Sequence, residues 1–117
     1  MKLLIVDDNA AVRRMLKSIV GNLAEEVYEC TDGIEALAAY TSYHPSFVLM
    51  DIAMRQIDGI AATRQIMNFD PAAKVILVTN YDEADLREAA QQAGACGYVL
   101  KENMFEVRRL LQMASST

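Results

Sequence analysis

The chain has 117 residues, of which 11 are lysine or arginine and 16 are aspartate or glutamate, so its formal net charge is −5. This length fits one domain with a hydrophobic core that needs no disulfides. Hydrophobic residues make up 53% and charged residues 23%, which is ordinary for a globular domain and excludes disorder, collagen and a coiled coil. The acidic balance argues against direct binding to nucleic acid, because phosphate contacts need a basic face.

Neither a membrane span nor a secretion signal is visible in the sequence. No apolar run approaches the roughly 18 residues that a membrane helix needs, and the first run, at 3–6, is too short for a signal peptide. Cys30 and Cys96 are far apart and form no CxxC motif. We therefore expect reduced thiols in a cytoplasmic protein. With one histidine, His44, and no paired cysteines, a zinc site is not expected.

Short apolar runs alternate along the chain with longer amphipathic stretches. In chain order, the runs and the helical spacing of apolar residues predict strand 3–6, helix 10–22, strand 26–30, helix 33–43, strand 47–50, helix 59–69, strand 75–78, helix 82–93, strand 98–100 and helix 104–114. Pro45 and Pro71 follow two of the helices, and Gly94 follows a third as a C-terminal cap.

This alternation of five strands and five helices predicts the fold. Nearly continuous apolar strands are typical of a parallel sheet that is covered on both faces, and strand–helix repeats of this kind form a three-layer α/β domain. With right-handed crossovers, we expect a flavodoxin-like (βα)5 doubly wound sandwich with strand order 2-1-3-4-5. In such folds ligands bind at the carboxyl ends of the strands.

Polar side chains stand at the ends of four predicted strands. Asp7 and Asp8 follow the first strand, Asp51 the third, Thr79 the fourth and Lys101 the fifth. Three converging carboxylates raise one another's pKa values unless a cation compensates, and Mg²⁺ prefers such oxygen ligands. Each aspartate alone is better explained as a helix cap. The complete set at matching strand ends favours a magnesium site with room for a phosphate.

These residues and their surroundings resemble the receiver domain of two-component response regulators. The motifs are VDD at 6–8, DIAM at 51–54, DG at 58–59, Thr79 and YVLK at 98–101. No single motif is specific, but the ordered set is, and the resemblance covers the whole chain, 1–117, as a single receiver domain.

The resemblance implies a phosphoacceptor and its metal ligands. Asp51 matches the acceptor, whose carboxylate attacks the phosphorus of a phosphohistidine on a sensor histidine kinase or phosphotransfer protein. Asp8 matches the direct Mg²⁺ ligand, and Asp7 the ligand that acts partly through water. Asp51 itself and the backbone carbonyl of Ala53 would complete the protein's share of the site, which leaves the Ala53 side chain free to vary.

The resemblance also implies a switch. Lys101 would pair with Asp51 before the reaction and with a phosphoryl oxygen after it, and so stabilise charge in the transition state. Thr79 would then hydrogen-bond the phosphoryl group, while Tyr98 turns inward. The phosphoryl group would shift the population between two states. The readout surface would be that of the fourth helix, the fifth strand and the fifth helix.

Three residues depart from the family pattern. Arg55 stands where proline is common, and we expect its side chain to be exposed to solvent. Glu102 also replaces a common proline, so we expect a trans peptide bond after Lys101. Asn80 stands where a small residue is usual. Because Asn80 would crowd the phosphoryl group and Ala53 cannot position a water, we expect slow self-dephosphorylation.

Two further groups of residues have ordinary structural interpretations. Arg13, Arg14 and Lys17 are predicted to form the solvated face of the first helix, which docks the kinase in this family. The Asp58-Gly59 pair is predicted to form a turn and a helix start.

Other functions fit the same fold less well. Phosphohydrolases with an aspartate nucleophile usually have a second acid two residues later, where this chain has Ala53. An electron carrier would need a hydroxyl-rich loop for the FMN phosphate, which the acidic 7–9 segment would repel. A receiver-like module that works without phosphorylation remains an alternative, but the complete set of site residues argues against it.

The output of the domain is left open by the sequence. Glu102 after Lys101 resembles the subgroup of receivers that precede helix-turn-helix domains. We therefore expect a transcription regulator that binds DNA through a separate effector domain, with homodimerisation on activation as a further possibility. A stand-alone receiver is the alternative. We expect this domain itself to contact neither nucleic acid nor membrane.

Overall fold

The computed structural model describes residues 1–115, so the last two residues of the predicted domain 1–117 lie outside the described residues. The strands and helices are β1 (Lys2–Val6), α1 (Ala10–Val20), β2 (Glu26–Cys30), α2 (Ala36–Tyr43), β3 (Phe47–Met50), α3 (Gly59–Phe69), β4 (Val75–Thr79), α4 (Ala84–Ala93), β5 (Gly97–Leu100) and α5 (Phe105–Ser115). Short 3₁₀ turns occupy Gly21–Leu23, Gly33–Glu35 and Lys101–Asn103. None of the described helices has the length and apolarity to cross a membrane.

The five strands form one parallel sheet in the order β2-β1-β3-β4-β5. This arrangement confirms the predicted (βα)5 topology. The register pairs Val6 with Met50, Met50 with Leu77, and Thr79 with Leu100. The carboxyl ends of β1, β3, β4 and β5 therefore lie along one edge, where the predicted site residues follow.

Two hydrophobic layers cover the sheet, one on each face. On one face, Leu3 and Ile5 of β1 pack with residues of α1 and α5, such as Leu16 and Leu111. The opposite face is covered by α2, α3 and α4, whose buried residues include Tyr40, Ile66 and Ala90. Because both faces are buried, β1, β3 and β4 are apolar almost throughout, whereas the edge strand β2 is half-exposed.

The predicted bounds of β2, β3 and α3 are confirmed, and several helix ends differ. The first helix ends at Val20, where the chain tightens into a 3₁₀ turn. The second begins with the 3₁₀ turn that Asp32 caps. The fourth starts at Ala84 rather than 82, because Glu83 is extended and the Asp82 carboxylate accepts from Arg87 Nε at 2.6 Å.

Polar caps fix the helix starts nearest the site. Asn9 Oδ1 accepts the backbone N–H groups of Ala11 at 2.9 Å and Val12 at 3.2 Å. Asp58 caps α3 by accepting from Ala61 at 2.8 Å, which confirms the predicted helix start. Gly94, at φ 103°, forms the predicted left-handed cap of α4.

Candidate functional site

Three carboxylates meet at the carboxyl edge of the sheet. One oxygen from each of Asp7, Asp8 and Asp51 lies within 4.8 Å of the other two. The sheet brings them together, because the Asp51 N–H donates to Val6 carbonyl at 2.9 Å. Asp7 and Asp51 are buried, whereas Asp8 is exposed. The cluster therefore has one solvent-accessible side.

Lys101 reaches this cluster from the end of β5. Its Nζ lies 3.0 Å from Asp7 Oδ2 and 3.4 Å from Asp51 Oδ1. The predicted pairing with Asp51 is thus shared with Asp7, which is the nearer partner. Burial alone would lower the pKa of Lys101, but its close ion pairs with the carboxylates of Asp7 and Asp51 outweigh burial and raise it. Lys101 therefore stays cationic between two carboxylates.

Asp51 is held in a defined orientation. Its Oδ1 accepts the backbone N–H of Ile52 at 2.9 Å and also faces Lys101. Burial, followed by the charge of Asp7, raises the pKa of Asp51 to about 6, against the opposing effects of Lys101 and the Ile52 N–H. The carboxylate is therefore mostly ionised at pH 7, although burial and the charge of Asp7 disfavour its ionised form.

The donor set fits a hard divalent cation. Asp7 Oδ1 accepts the Asn9 N–H at 2.8 Å. Asp7 Oδ2 is fully buried and accepts no hydrogen bond of normal geometry within residues 1–115, although Lys101 lies beside it as an ion pair. Three carboxylates against one ammonium leave two uncompensated charges, and carboxylate oxygen is the ligand type that Mg²⁺ selects. Ala53 lies exposed on the loop that follows Asp51.

The predicted switch residues are joined through the backbone of Tyr81. The Tyr81 N–H donates to Thr79 Oγ1 at 3.2 Å, and the Tyr98 hydroxyl donates to the Tyr81 carbonyl at 2.7 Å. Thr79 is fully buried, while Tyr98 is half-buried with the Arg87 guanidinium 4.6 Å from its ring centroid. Thr79 and Tyr98 are therefore linked by two hydrogen bonds through a single residue, Tyr81.

The structure corrects the interpretation of Arg13. Its guanidinium donates to the Asp7 carbonyl at 2.7 Å and to Glu29 at 2.9 Å, so it is half-buried rather than part of a solvated face. The reason is the adjacency of β1 and β2, which places Glu29 beside α1. Arg14 is exposed as predicted, and Lys17 is exposed but pairs with Glu29 at 3.1 Å.

Asp32 was not singled out by the sequence reasoning. It is 8% exposed, and its carboxylate accepts four backbone N–H groups, three of them from the loop after Asp51. These bonds, first among them that from Gln56, lower the pKa of Asp32. The only sequence signal was an aspartate–glycine pair that begins two residues after the end of β2, and that pattern also marks an ordinary helix start.

Two of the expectations about the departing residues are confirmed. The Arg55 side chain is exposed. Its N–H, which a proline would lack, donates to Asp32 Oδ2 at 2.9 Å. The peptide bond between Lys101 and Glu102 is trans.

Comparison with known proteins agrees with this geometry. The family model described as the response regulator receiver domain matches residues 3–115. This chain belongs to that family. The chemotaxis protein CheY of Bacillus subtilis is 36% identical, over 99% of this chain and 96% of CheY. The regulatory protein AtoC of Escherichia coli is 37% identical, over 97% of this chain but only 26% of AtoC.

A solved structure places a related receiver in a complex. The CheX–CheY–BeF3–Mg complex from Borrelia burgdorferi matches with a TM-score of 0.87 and 26% identity, over 100% of this chain and 90% of the matched chain. Receiver domains are phosphoacceptor signalling domains that switch on phosphorylation and bind Mg²⁺ through an acidic pocket. In this chain, Asp7, Asp8 and Asp51 form an acidic cluster with the geometry to hold a metal ion.

Proposed function

We propose that this domain accepts a phosphoryl group on Asp51 from a sensor histidine kinase or phosphotransfer protein, with Mg²⁺ as cofactor. The observation that supports this most is the position of Asp51, buried against Lys101 and within one cluster with Asp7 and Asp8. A buried nucleophile beside one fixed cation and two further anions has no evident structural role. It suits a reaction in which negatively charged oxygens arrive together with a metal.

The proposed reaction is a phosphoryl transfer between two protein side chains. An Asp51 carboxylate oxygen attacks the phosphorus, the phosphorus–nitrogen bond to the donor histidine breaks, and the imidazole leaves with the electron pair while an acyl phosphate forms. Lys101 is positioned to follow the new phosphoryl oxygen while remaining near Asp7. Thr79, at the end of β4, would donate its hydroxyl proton to another phosphoryl oxygen.

The metal would be held by the three carboxylates and the Ala53 carbonyl. When bound, Mg²⁺ supplies positive charge against the oxygens of the transferring group. The exposed position of Asp8 provides the open side from which solvent and donor can approach. Asp7 is already oriented by the Asn9 N–H and, through its carbonyl, by Arg13.

The proposed switch runs from Thr79 to Tyr98. If the Thr79 hydroxyl turns towards a phosphoryl oxygen, the Tyr81 N–H loses its acceptor and the 79–81 segment shifts. Tyr98, which holds the Tyr81 carbonyl, then moves inward and leaves the Arg87 guanidinium. The surface formed by α4, β5 and α5 would change in response and signal to the next component.

The domain could signal in two ways, either as part of a longer regulator or as a stand-alone receiver. AtoC shows that a similar receiver makes up a quarter of a longer regulator, whereas CheY of B. subtilis has nearly the length of this chain. Because Glu102 follows Lys101, we favour a transcription regulator whose separate helix-turn-helix domain contacts DNA, with homodimerisation on activation. We also place the protein in the cytoplasm, and the free thiols of Cys30 and Cys96 support that assignment.

Incubation with acetyl phosphate and Mg²⁺, followed by intact-mass measurement, tests the function. We expect one added phosphoryl group on the wild type, none on Asp51→Asn, and none when EDTA removes Mg²⁺. Lys101→Ala should fold, bind Mg²⁺ and react much more slowly. A wild-type protein that binds Mg²⁺ but remains unmodified by both acetyl phosphate and a phosphorylated phosphotransfer protein would contradict the proposal and favour a phosphorylation-independent module.

A further inference from the structure

The loop between Asp51 and α3 is attached to the turn after β2 through one carboxylate. Asp32 Oδ2 accepts the N–H groups of Arg55 at 2.9 Å and Gln56 at 3.0 Å. Asp32 Oδ1 accepts those of Ile57 at 3.1 Å and, within its own turn, Ile34 at 3.0 Å. Both oxygens are thus used, and three consecutive N–H groups of the loop converge on a single side chain.

At two glycines, one beside Asp32 and one at the far end of the loop, the backbone is packed too closely to admit a side chain. A Cβ on Gly33 would lie 2.2 Å from the Ile57 carbonyl oxygen. At the far end of the loop, a Cβ on Gly59 would lie 1.9 Å from the Asp51 carbonyl oxygen, and the Gly59 N–H donates to Ile52 at 2.8 Å. The loop is therefore fixed both to the 32–33 turn and to the backbone of Asp51.

This attachment adjoins the proposed metal site. Asp32, Thr31, Arg55 and Gln56 line one cleft of about 480 Å³ together with Asp8. The loop contains Ala53, two residues after Asp51 and two before Arg55. Fixing the N–H groups at 55–57 consequently fixes the path of the backbone that presents the Ala53 carbonyl.

We propose that Asp32 is a positioning residue for the metal site, which sets the Mg²⁺ affinity of the domain by holding the loop that presents the Ala53 carbonyl. This inference rests on the proposed function, because it takes that carbonyl as a ligand. Arg55 contributes through its backbone, since a proline at this position would remove one of the three loop donors.

Two variants break the attachment in different ways. Asp32→Asn removes the acceptor for two of the four N–H groups and places amide hydrogens against them. Gly33→Ala keeps the Asp32 charge but pushes the turn away from the Ile57 carbonyl. Agreement between the two separates loop positioning from the loss of a negative charge near the cation.

The chain offers matched controls for both changes. Asp70 lies at the opposite end of α3, where it accepts hydrogen bonds from the Tyr40 hydroxyl at 2.7 Å and the Ala72 N–H at 3.0 Å. Asp70→Asn is therefore the same chemical change about 18 Å along the helix from Asp58. A Cβ on Gly21 meets no atom within 4 Å, so Gly21→Ala is the control for Gly33→Ala.

Isothermal titration with Mg²⁺ alone is the primary measurement, with circular dichroism to confirm folding. We expect Asp32→Asn and Gly33→Ala to weaken Mg²⁺ binding about 10-fold or more, as is usual for residues that orient metal ligands, and both controls to bind as the wild type does. Affinities within twofold of the wild type for both variants would overturn the proposal, as would an equal loss in Asp70→Asn.

Hydrogen exchange on the wild type keeps the proposal testable if a variant does not fold. The amides of Arg55, Gln56 and Ile57 should exchange slowly, and exchange at the rate of free amides would overturn the proposal. The Mg²⁺ titration does not depend on phosphoryl transfer. If the wild type binds Mg²⁺ but is never phosphorylated, the proposed function is refuted. The Mg²⁺ affinities of the variants still test the role of Asp32 in that case.

Discussion

Replacing Asp51 by asparagine should make the metal-free protein more stable at pH 7. The Asp51 carboxyl is 6% exposed, and its pKa is raised from 3.8 to about 6 by burial and by the charge of Asp7. One pKa unit corresponds to about 1.4 kcal/mol, so the ionised carboxylate costs the folded state up to about 3 kcal/mol. Asparagine has nearly the same shape and no charge. Lys101 keeps Asp7 as its partner at 3.0 Å.

The direction of the pH dependence follows from the sign of this shift. Between the unfolded pKa of 3.8 and the folded pKa of about 6, the folded state holds more protons on Asp51 than the unfolded state does. The ionised Asp51 carboxylate therefore lowers the unfolding free energy of the wild type by its full amount above pH 7, and by progressively less as the pH falls. The advantage of Asp51→Asn should be about 1–3 kcal/mol at pH 7.5 and should approach zero near pH 4.

Urea unfolding in EDTA at several pH values measures this difference. Adding Mg²⁺ should then reduce the difference in unfolding free energy between Asp51→Asn and the wild type, because a ligand that binds the folded state stabilises the wild type by mass action. A variant no more stable than the wild type at pH 7.5, or an advantage that does not change with pH, would refute the electrostatic reasoning. Asp70→Asn is the control, because the pKa of Asp70 is shifted downward, chiefly by the Tyr40 hydroxyl, and its loss should not stabilise the protein.

Three further changes have definite expected outcomes. Asn80→Ala should shorten the lifetime of the phosphorylated protein, measured by intact mass, because the Asn80 side chain beside Thr79 would crowd the approach of water to the phosphoryl group. An unchanged lifetime would show that Asn80 does not crowd this group. Ile66→Ala should lower the free energy of unfolding by about 2–5 kcal/mol, because Ile66 is fully buried; a loss under 1 kcal/mol in urea titration would contradict this packing. Gly94→Ala should cost at least about 1 kcal/mol in the same titration, since φ is 103° and its Cβ would lie 2.8 Å from Met67, and a neutral effect would contradict the left-handed cap.

The strands were predictable because burial on both faces leaves a strong local signal. The apolar runs of β1, β3 and β4 are uninterrupted and end at polar residues, so their order and the edge that bears the site followed from general rules for parallel sheets. Helix ends were less predictable. The start of α4 depends on the extended backbone of Glu83 and the pairing of Asp82 with Arg87, which residue patterns do not show.

The site was predictable where residue type and strand end coincide. Asp7, Asp51 and Lys101 met these conditions, and the structure brings them together. Asp32 and Arg13 did not, because the contacts that hold Asp32, and the one that ties Arg13 to Asp7, are made with backbone groups. A carboxylate that accepts N–H groups 23 to 25 residues away, or a guanidinium that donates to a main-chain carbonyl, requires no particular residue type in its partner.

The most direct test of the central claim is to locate the phosphoryl group on the chain. Borohydride reduces an acyl phosphate of aspartate to homoserine, so reduction after treatment with acetyl phosphate and Mg²⁺ marks the acceptor for peptide mass spectrometry. We expect homoserine at position 51 and at no other aspartate. Homoserine at Asp7 or Asp8, or a phosphorylated protein with none at position 51, would contradict the assignment of Asp51 as the phosphoacceptor.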